Sequence, residues 1–386
     1  MSTTIALRRI AHLTYGDALA SGVRKDGEFP VIGSGGCSGF HAVANTSGPA
    51  IIIGRKGSFG AIHWEGRDCF VIDTAYSVSP HDSSTDMRWL FYALQAVDLK
   101  GASQDVGVPG LSRDVAYSVQ IPVCTIDEQR RIADFLDTET ARIHSLVKRR
   151  QDQLELLDER ALGAIDDTIA QVPDPVTVRL GYLAQVQTGL TVDGNRQHDG
   201  DVVTLPYLRV ANVQVGRVDL DEIAEITVPR RTAEASRLRP GDVLMTEGDD
   251  LDKLGRGTVW RGEIEDCLHQ NHVFAVRPDT SILNPEYLAL LTRASMARDY
   301  FERTGNKTTN LASTSSSKIR DFRIPLIDTG MQRALVKDVD ARLQSISEFE
   351  ERLCRQLALL AERRQALITA AVTGQINVTT AGGVSA

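Results

Sequence analysis

The chain of 386 residues weighs 42.2 kDa, room for two or three domains at roughly 100 to 200 residues each, which excludes a single small module. Its 42% apolar and 24% charged residues exclude wholesale disorder and collagen-like repeats. Against 51 acidic side chains stand 43 basic ones, a net charge of -8, so any polyanion-binding surface must be a local patch and not a basic coat.

Residues 1–125 read as a first globule. Its longest apolar run near the start, Ala50-Ile51-Ile52-Ile53, falls far below the ~20 residues that cross a bilayer, and no charged-then-apolar leader precedes it; a cytoplasmic protein with no membrane partner is expected. Short alternating segments broken by Gly, Pro and Asp predict strands, and Met87 to Val97 a short helix. In Gly54-Arg55-Lys56-Gly57-Ser58-Phe59-Gly60 the glycines permit close backbone approach to phosphate and two cations neutralise it. The same residues also fit a tight hairpin with exposed charges. Gln104 and Asp105, before Gly107-Val108-Pro109-Gly110, are polar loop positions suited to base edges or phosphates.

Residues 126–172 predict a long amphipathic helix, with Ile132, Leu136, Ile143, Val147, Leu154, Leu157 and Ile165 on one stripe and Arg150 interrupting it. Gln171 to Pro175 form a linker, and residues 173–328 a second globule. Within that globule, Lys253 and Arg256 occupy a place comparable to the first basic loop, beside the acidic run from Glu247 to Asp252. Those carboxylates suit either cytosine amino groups or a solvated loop. Cys267, His269 and His272 are close enough in sequence for a metal site, but core packing is the favoured reading. Asn284-Pro285-Glu286-Tyr287 is the nearest approach to the tetrapeptide that holds an extruded base, and reads better as a capped start to a helix over Pro285 to Asp299. Arg303, Asn306, Lys307, Thr308, Thr309 and Asn310, followed by Ser315 to Lys318, make a second phosphate-contacting candidate. Residues 329–376 predict another long helix, with Val339, Ile346, Leu353, Leu360 and Leu367 at heptad spacing, and 377–386 a tail. The five cysteines are scattered and never form a C-x-x-C pair, which predicts neither disulfides nor a zinc ribbon. No G-x-x-x-x-G-K-[ST] is present, so an ATP-driven motor is absent from this polypeptide.

A shift of 203 residues lays Ile121–Ile165 over Ile324–Ile368 without a gap, and 14 of 45 positions are identical, where chance gives only ~3. The entry motifs repeat as well. Leu7-Arg8-Arg9-Ile10-Ala11 with Gly16 parallels Leu180-Gly181-Tyr182-Leu183-Ala184 with Gly189, and Ile72 to Val78 with Pro80 parallels Gln270 to Val276 with Pro278. One long amphipathic helix cannot bury its own stripe, so the two copies are expected to pack on each other. The expected fold is α+β: two target-recognition globules alternating with two long helices packed as an antiparallel coiled coil, a pseudo-twofold internal repeat. Unlike globules on a common frame would read two different half-sites of duplex DNA.

These residues resemble the specificity subunits of Type I restriction-modification enzymes. The resemblance runs through Val31 to Gly36 with Gly39, Ile51 to Gly60, Ile72 to Tyr76, Gly107 to Ser112, Ile121 to Val123, Asp127 to Ala133, Leu238 to Leu244 and Ile324 to Leu326, nearly the whole chain. It implies a non-catalytic subunit for DNA methylation and phage defence that binds double-stranded DNA. It also implies docking of two methyltransferase subunits, and of restriction and translocase subunits through them. No cofactor is implied in this chain; the partners are expected to use S-adenosylmethionine, ATP and Mg. Arg55, Lys56, Ser58 and Gln104 in the first globule, and Lys253, Arg256 and Lys307 in the second, are the expected DNA contacts. The pattern breaks at the second junction, where Met331 replaces the Glu that precedes the Gln. A free-standing bipartite DNA-binding regulator and a protein-interaction scaffold without a DNA role remain the rival readings.

Overall fold

The structure, a computed structural model, describes residues 4–100, 110–173, 175–191, 200–249, 254–255, 257–307 and 312–378. The chain forms two compact units, residues 1–151 with 353–386, and residues 152–352. Each of the two long helices, Ile126–Ala170 and Thr329–Val372, contributes one part to each unit.

In the first unit the strands Ala11–Tyr15, Ala75–Pro80, Ala50–Gly54 and Ile62–Glu65 form an antiparallel sheet in that order. The apolar run noted in the sequence is thus an inner strand with both faces covered. Ile51 and Ile53 join the main core, whereas Ala50 and Ile52 pack on the other side with Ile32, Cys69 and Val71, as a period of two dictates. A second sheet orders Gly36–His41, Phe29–Gly33 and Phe70–Val71, the last pair parallel. Above the main core lies the helix Met87–Gln95, begun by Asp86, whose carboxylate accepts from Trp89 N at 2.8 Å. Arg88 and Tyr92 on this helix both donate to Asp137 of the first long helix at 2.6 Å.

The second unit repeats this plan. Ala184–Thr188, Val273–Pro278, Val243–Thr246 and Gly257–Val259 form the antiparallel sheet. Ala224–Pro229, Val202–Leu208 and Leu268–His269 form the smaller one, again with a parallel last pair. The aligned segments of the sequence are therefore equivalent strands: Ala75–Pro80 pairs with Ala11–Tyr15 as Val273–Pro278 pairs with Ala184–Thr188. Gly16 and Gly189 match for a steric reason. A Cβ at either would come within 2.2 Å of a carbonyl oxygen, that of Ile72 or of His269.

Asn284 caps Pro285–Arg293, its side chain accepting from Tyr287 N at 2.9 Å, with Pro285 in the first turn. The tetrapeptide is a helix start. The single helix predicted to Asp299 is instead two, because Ala294 is extended (ψ 157°) and the Asp166 carboxylate accepts from both Ser295 N and Ser295 Oγ, starting the helix Ser295–Thr304.

The long helices pack within each unit. In the first, Ile132, Ala133 and Leu136 share a core with Ile368, Ala371 and Val372; in the second, Ile165 and Ile169 cluster with Val336, Val339 and Leu343. The start of one helix meets the end of the other in both cases, so the packing is antiparallel. Repeat partners play equal parts. Leu136, Val339 and Ile368 are fully buried and Ile165 nearly so. Gln129 and Gln332 are buried too, and each amide bridges the same three places: Gln129 Oε1 accepts from Asp86 N while Nε2 donates to the carbonyls of Ser84 and Cys124. Gln332 does this for Asn284 N, Ile282 O and Ile327 O.

At position 128 against 331 the copies diverge for a local reason. Glu128 closes a capping box, accepting from Thr125 N and Oγ while Thr125 Oγ accepts from Glu128 N. In the second copy Asp328 takes over, accepting from Gly330 N and Met331 N. Met331 stands where the first copy has its capping Glu, and the second helix is capped by Asp328 instead.

Candidate nucleic-acid interface

The loop from Gly54 to Gly60 joins two antiparallel strands of the first unit. Gly57 and Gly60 have φ of +68° and +74°, the left-handed region that favours glycine. Arg55 and Lys56 both donate their backbone N–H to Thr74 O, and Leu111 N donates to Arg55 O. An isolated bridge between Lys56 and Gly110 further ties the segment at 110–113 to this loop. Lys56 and Ser58 are exposed and Arg55 is half-buried. The loop is a hairpin, as one of the two readings expected, with Lys56 and Ser58 at its surface.

Two residues missed by sequence reasoning complete the cluster. The guanidinium carbons of Arg55 and Arg113 each lie 4.9 Å from the centroid of the Tyr15 ring, the range of a cation–π contact. Tyr15 itself rests against Tyr76, ring centroids 5.0 Å apart. Burial raises the Tyr76 hydroxyl to about 12, and it donates to Leu111 O at 3.0 Å. Arg55 Nη1 donates to Asp73 O. No ion pair involves Arg55, Lys56 or Arg113 among the described residues. Gln104 lies outside the described residues.

In the second unit Gly248–Asp249, Ala312–Ser313 and Asn306–Lys307 make a small sheet. Ala312–Ser313 lies between the other two strands, so Asn306 is one strand away from the start of the acidic run, and Thr314 N donates to Glu247 O. Lys318 Nζ donates to Asn306 Oδ1 at 2.9 Å, and Glu247 pairs with exposed His272 at 2.7 Å. Lys307 is placed by its backbone in this sheet; its side chain, like Lys253 and Arg256, lies outside the described residues.

Cys267, His269 and His272 do not converge on a metal. Cys267 and His269 are buried and His272 is exposed, and no group of three metal-ligating side chains occurs among the described residues. Burial pushes the Cys267 thiol up to about 12. His269 Nδ1 faces Val273 O at 2.6 Å and so carries the proton, and burial lowers the ring below its ordinary 6.5. The folded state holds this imidazole neutral, while the unfolded chain protonates it first. Stability of the second unit is therefore full above pH 6.5 and declines as pH falls below that value. Urea titrations at pH 7.5 and 5.5 should show a lower midpoint at the acid end, with a smaller difference in His269→Gln.

Residues 5–156 match the family model of the Type I restriction modification DNA specificity domain. The EcoBI specificity subunit of Escherichia coli is 21% identical over 84% of this chain and 73% of its own length. The chain is similar to Type I specificity subunits along most of its length. The EcoKI specificity subunit of Escherichia coli K12 is 22% identical over 67% of this chain and 58% of its own length. Across the first three curated relatives the match spans 36% to 58% of their length, less than two thirds. A solved chain from work on complex assembly and conformational transition of the Type I R-M system shares the fold, with TM-score 0.69 and 17% identity over 97% of this chain and 98% of that one. These curated relatives are specificity subunits by name. No helix among the described residues is long and apolar enough to cross a membrane.

Proposed function

We propose that the chain is the specificity subunit of a Type I restriction-modification complex. Each globule reads one half of a bipartite, asymmetric duplex target. The observation that carries this reading is the repeated sheet topology of two units whose polar loops differ: the same scaffold presents unlike contact surfaces, which suits two unlike half-sites. The helices dock the methyltransferase subunits, and the restriction subunits through them. Leu156 and Leu359, repeat partners, are both strongly exposed, at 60% and 61%; equal apolar positions on two helices support two copies of one partner. In this reading S-adenosylmethionine, ATP and Mg serve those partners.

Methylation mapping of genomic DNA with and without the chain tests it, since a split target whose modification depends on the chain is expected. No dependence, or an unsplit target, overturns the reading; tight bipartite binding without any partner favours the free-standing regulator. If both helices together set the gap, seven residues inserted into both would lengthen it by ~10 Å, about three base pairs. Insertion into one helix alone should abolish methylation by misaligning the apolar stripes. An unchanged spacer in the matched variant would remove the ruler role.

A further inference from the structure

We infer that Arg113, held against Tyr15, is a base-reading residue that donates both ends of its guanidinium fork to one guanine edge, while Arg55 and Lys56 hold the adjacent phosphates. This rests on the DNA-reading role proposed above and assigns a residue to it. Three observations converge. A guanidinium that meets an aromatic ring with its face keeps its in-plane N–H groups available, and Arg113, 4.9 Å from the Tyr15 centroid, has no ion pair or hydrogen bond among the described residues. Arg113 is exposed and Tyr15 is 43% exposed, so a ligand can reach both. Arg55, in contrast, is tied through Nη1 to Asp73 O, which limits the in-plane donors it can offer and suits a positional contact.

The chemistry that matches a fixed planar fork is a pair of coplanar acceptors about as far apart as the fork's own donors. Guanine O6 and N7 in the major groove are such a pair, and they occur on no other base. Two oxygens of a phosphate are the competing acceptor. The backbone that carries Arg113 is held on both sides of it. Leu111 N on Arg55 O, and the Lys56–Gly110 bridge, fix the segment two residues before Arg113 to the basic loop. Ser112 caps the short helix that Arg113 opens, accepting from Val115 N. A preset side chain loses less freedom on binding than a solvated one.

The test is selection from a random-sequence duplex pool by the full chain, alone and with methyltransferase subunits, comparing the natural sequence with Arg113→Lys, Arg113→Gln and Tyr15→Leu. The natural chain should enrich a target containing a G·C pair that both Arg113 variants cease to prefer, by roughly 5- to 100-fold at that position, with the other positions unchanged. Tyr15→Leu should weaken the same preference less. Arg113→Lys is the deciding variant, because it keeps the charge and loses the fork. If Arg113→Lys selects the natural target and Arg113→Gln weakens all targets alike, the contact is to phosphate and the inference is overturned. Unaltered selection by every variant also overturns it, leaving the DNA-reading role intact. A natural chain that enriches nothing overturns both.

Discussion

Replacing Asp242 with alanine should destabilise the second unit by about 3–5 kcal/mol. Its carboxylate is fully buried and receives Arg277 Nε and Nη2 at 2.7 Å each and Arg239 N at 2.8 Å. Asp242 stands directly before the strand Val243–Thr246, and Arg277 lies on the neighbouring strand Val273–Pro278. The pair therefore pins the inner strands of the main sheet, as a bidentate charge-assisted contact. Truncation strands a guanidinium that is only 23% exposed. Since a whole domain is stable by only about 5–15 kcal/mol, much of the margin goes. Hydrogen exchange should show protection falling across residues 202–326 in the full-length variant, and DNA selection should lose one half-site. An unchanged exchange pattern would mean the pair is dispensable.

The second large effect is expected at the paired glutamines. Gln332→Ala leaves the part-buried Asn284 N–H and two carbonyls without this partner, and with one group left unmet at about 1–3 kcal/mol a loss of ~2 kcal/mol follows even if water reaches the others. Gln129→Ala should cost less, since Gln129 retains 5% exposure and Gln332 none. Gln332→Glu is informative because its carboxylate can still accept from Asn284 N but can no longer donate to Ile282 O and Ile327 O. It should not rescue. Equilibrium denaturation of the three variants would order them, and a Gln332→Glu midpoint equal to the natural one would refute the bridging role.

Which features could be read from sequence follows from where the repeat is tightly constrained. Gln129 and Gln332, Ile121 and Ile324, and the glycines at 16 and 189 each serve one stereochemical need in both copies, so they stayed alike and aligned by eye. The shared sheet topology was only partly visible, because strands need a pattern and not an identity, and a parallel pair such as Tyr207 with Leu268 joins residues far apart in the chain. Tyr15 and Arg113 escaped for the same reason: nothing in the local sequence of either reports a contact across nearly a hundred residues. The break at Ala294 was equally hidden, since the carboxylate that starts the next helix belongs to Asp166. The loss of Glu at Met331 was visible in the sequence, but not that Asp328 supplies the cap by other means.

The composition of the two units has a further bearing on synthesis. Residues 152–352 are one continuous stretch, whereas the other unit needs residues 353–372 beneath its helix Met87–Gln95, where Arg364 and Gln365 bond Gln95. As the nascent polypeptide leaves the ribosome, the later-encoded globule can close first. The earlier one must wait, without Ile368, Ala371 and Val372 in its core, until the last long helix emerges.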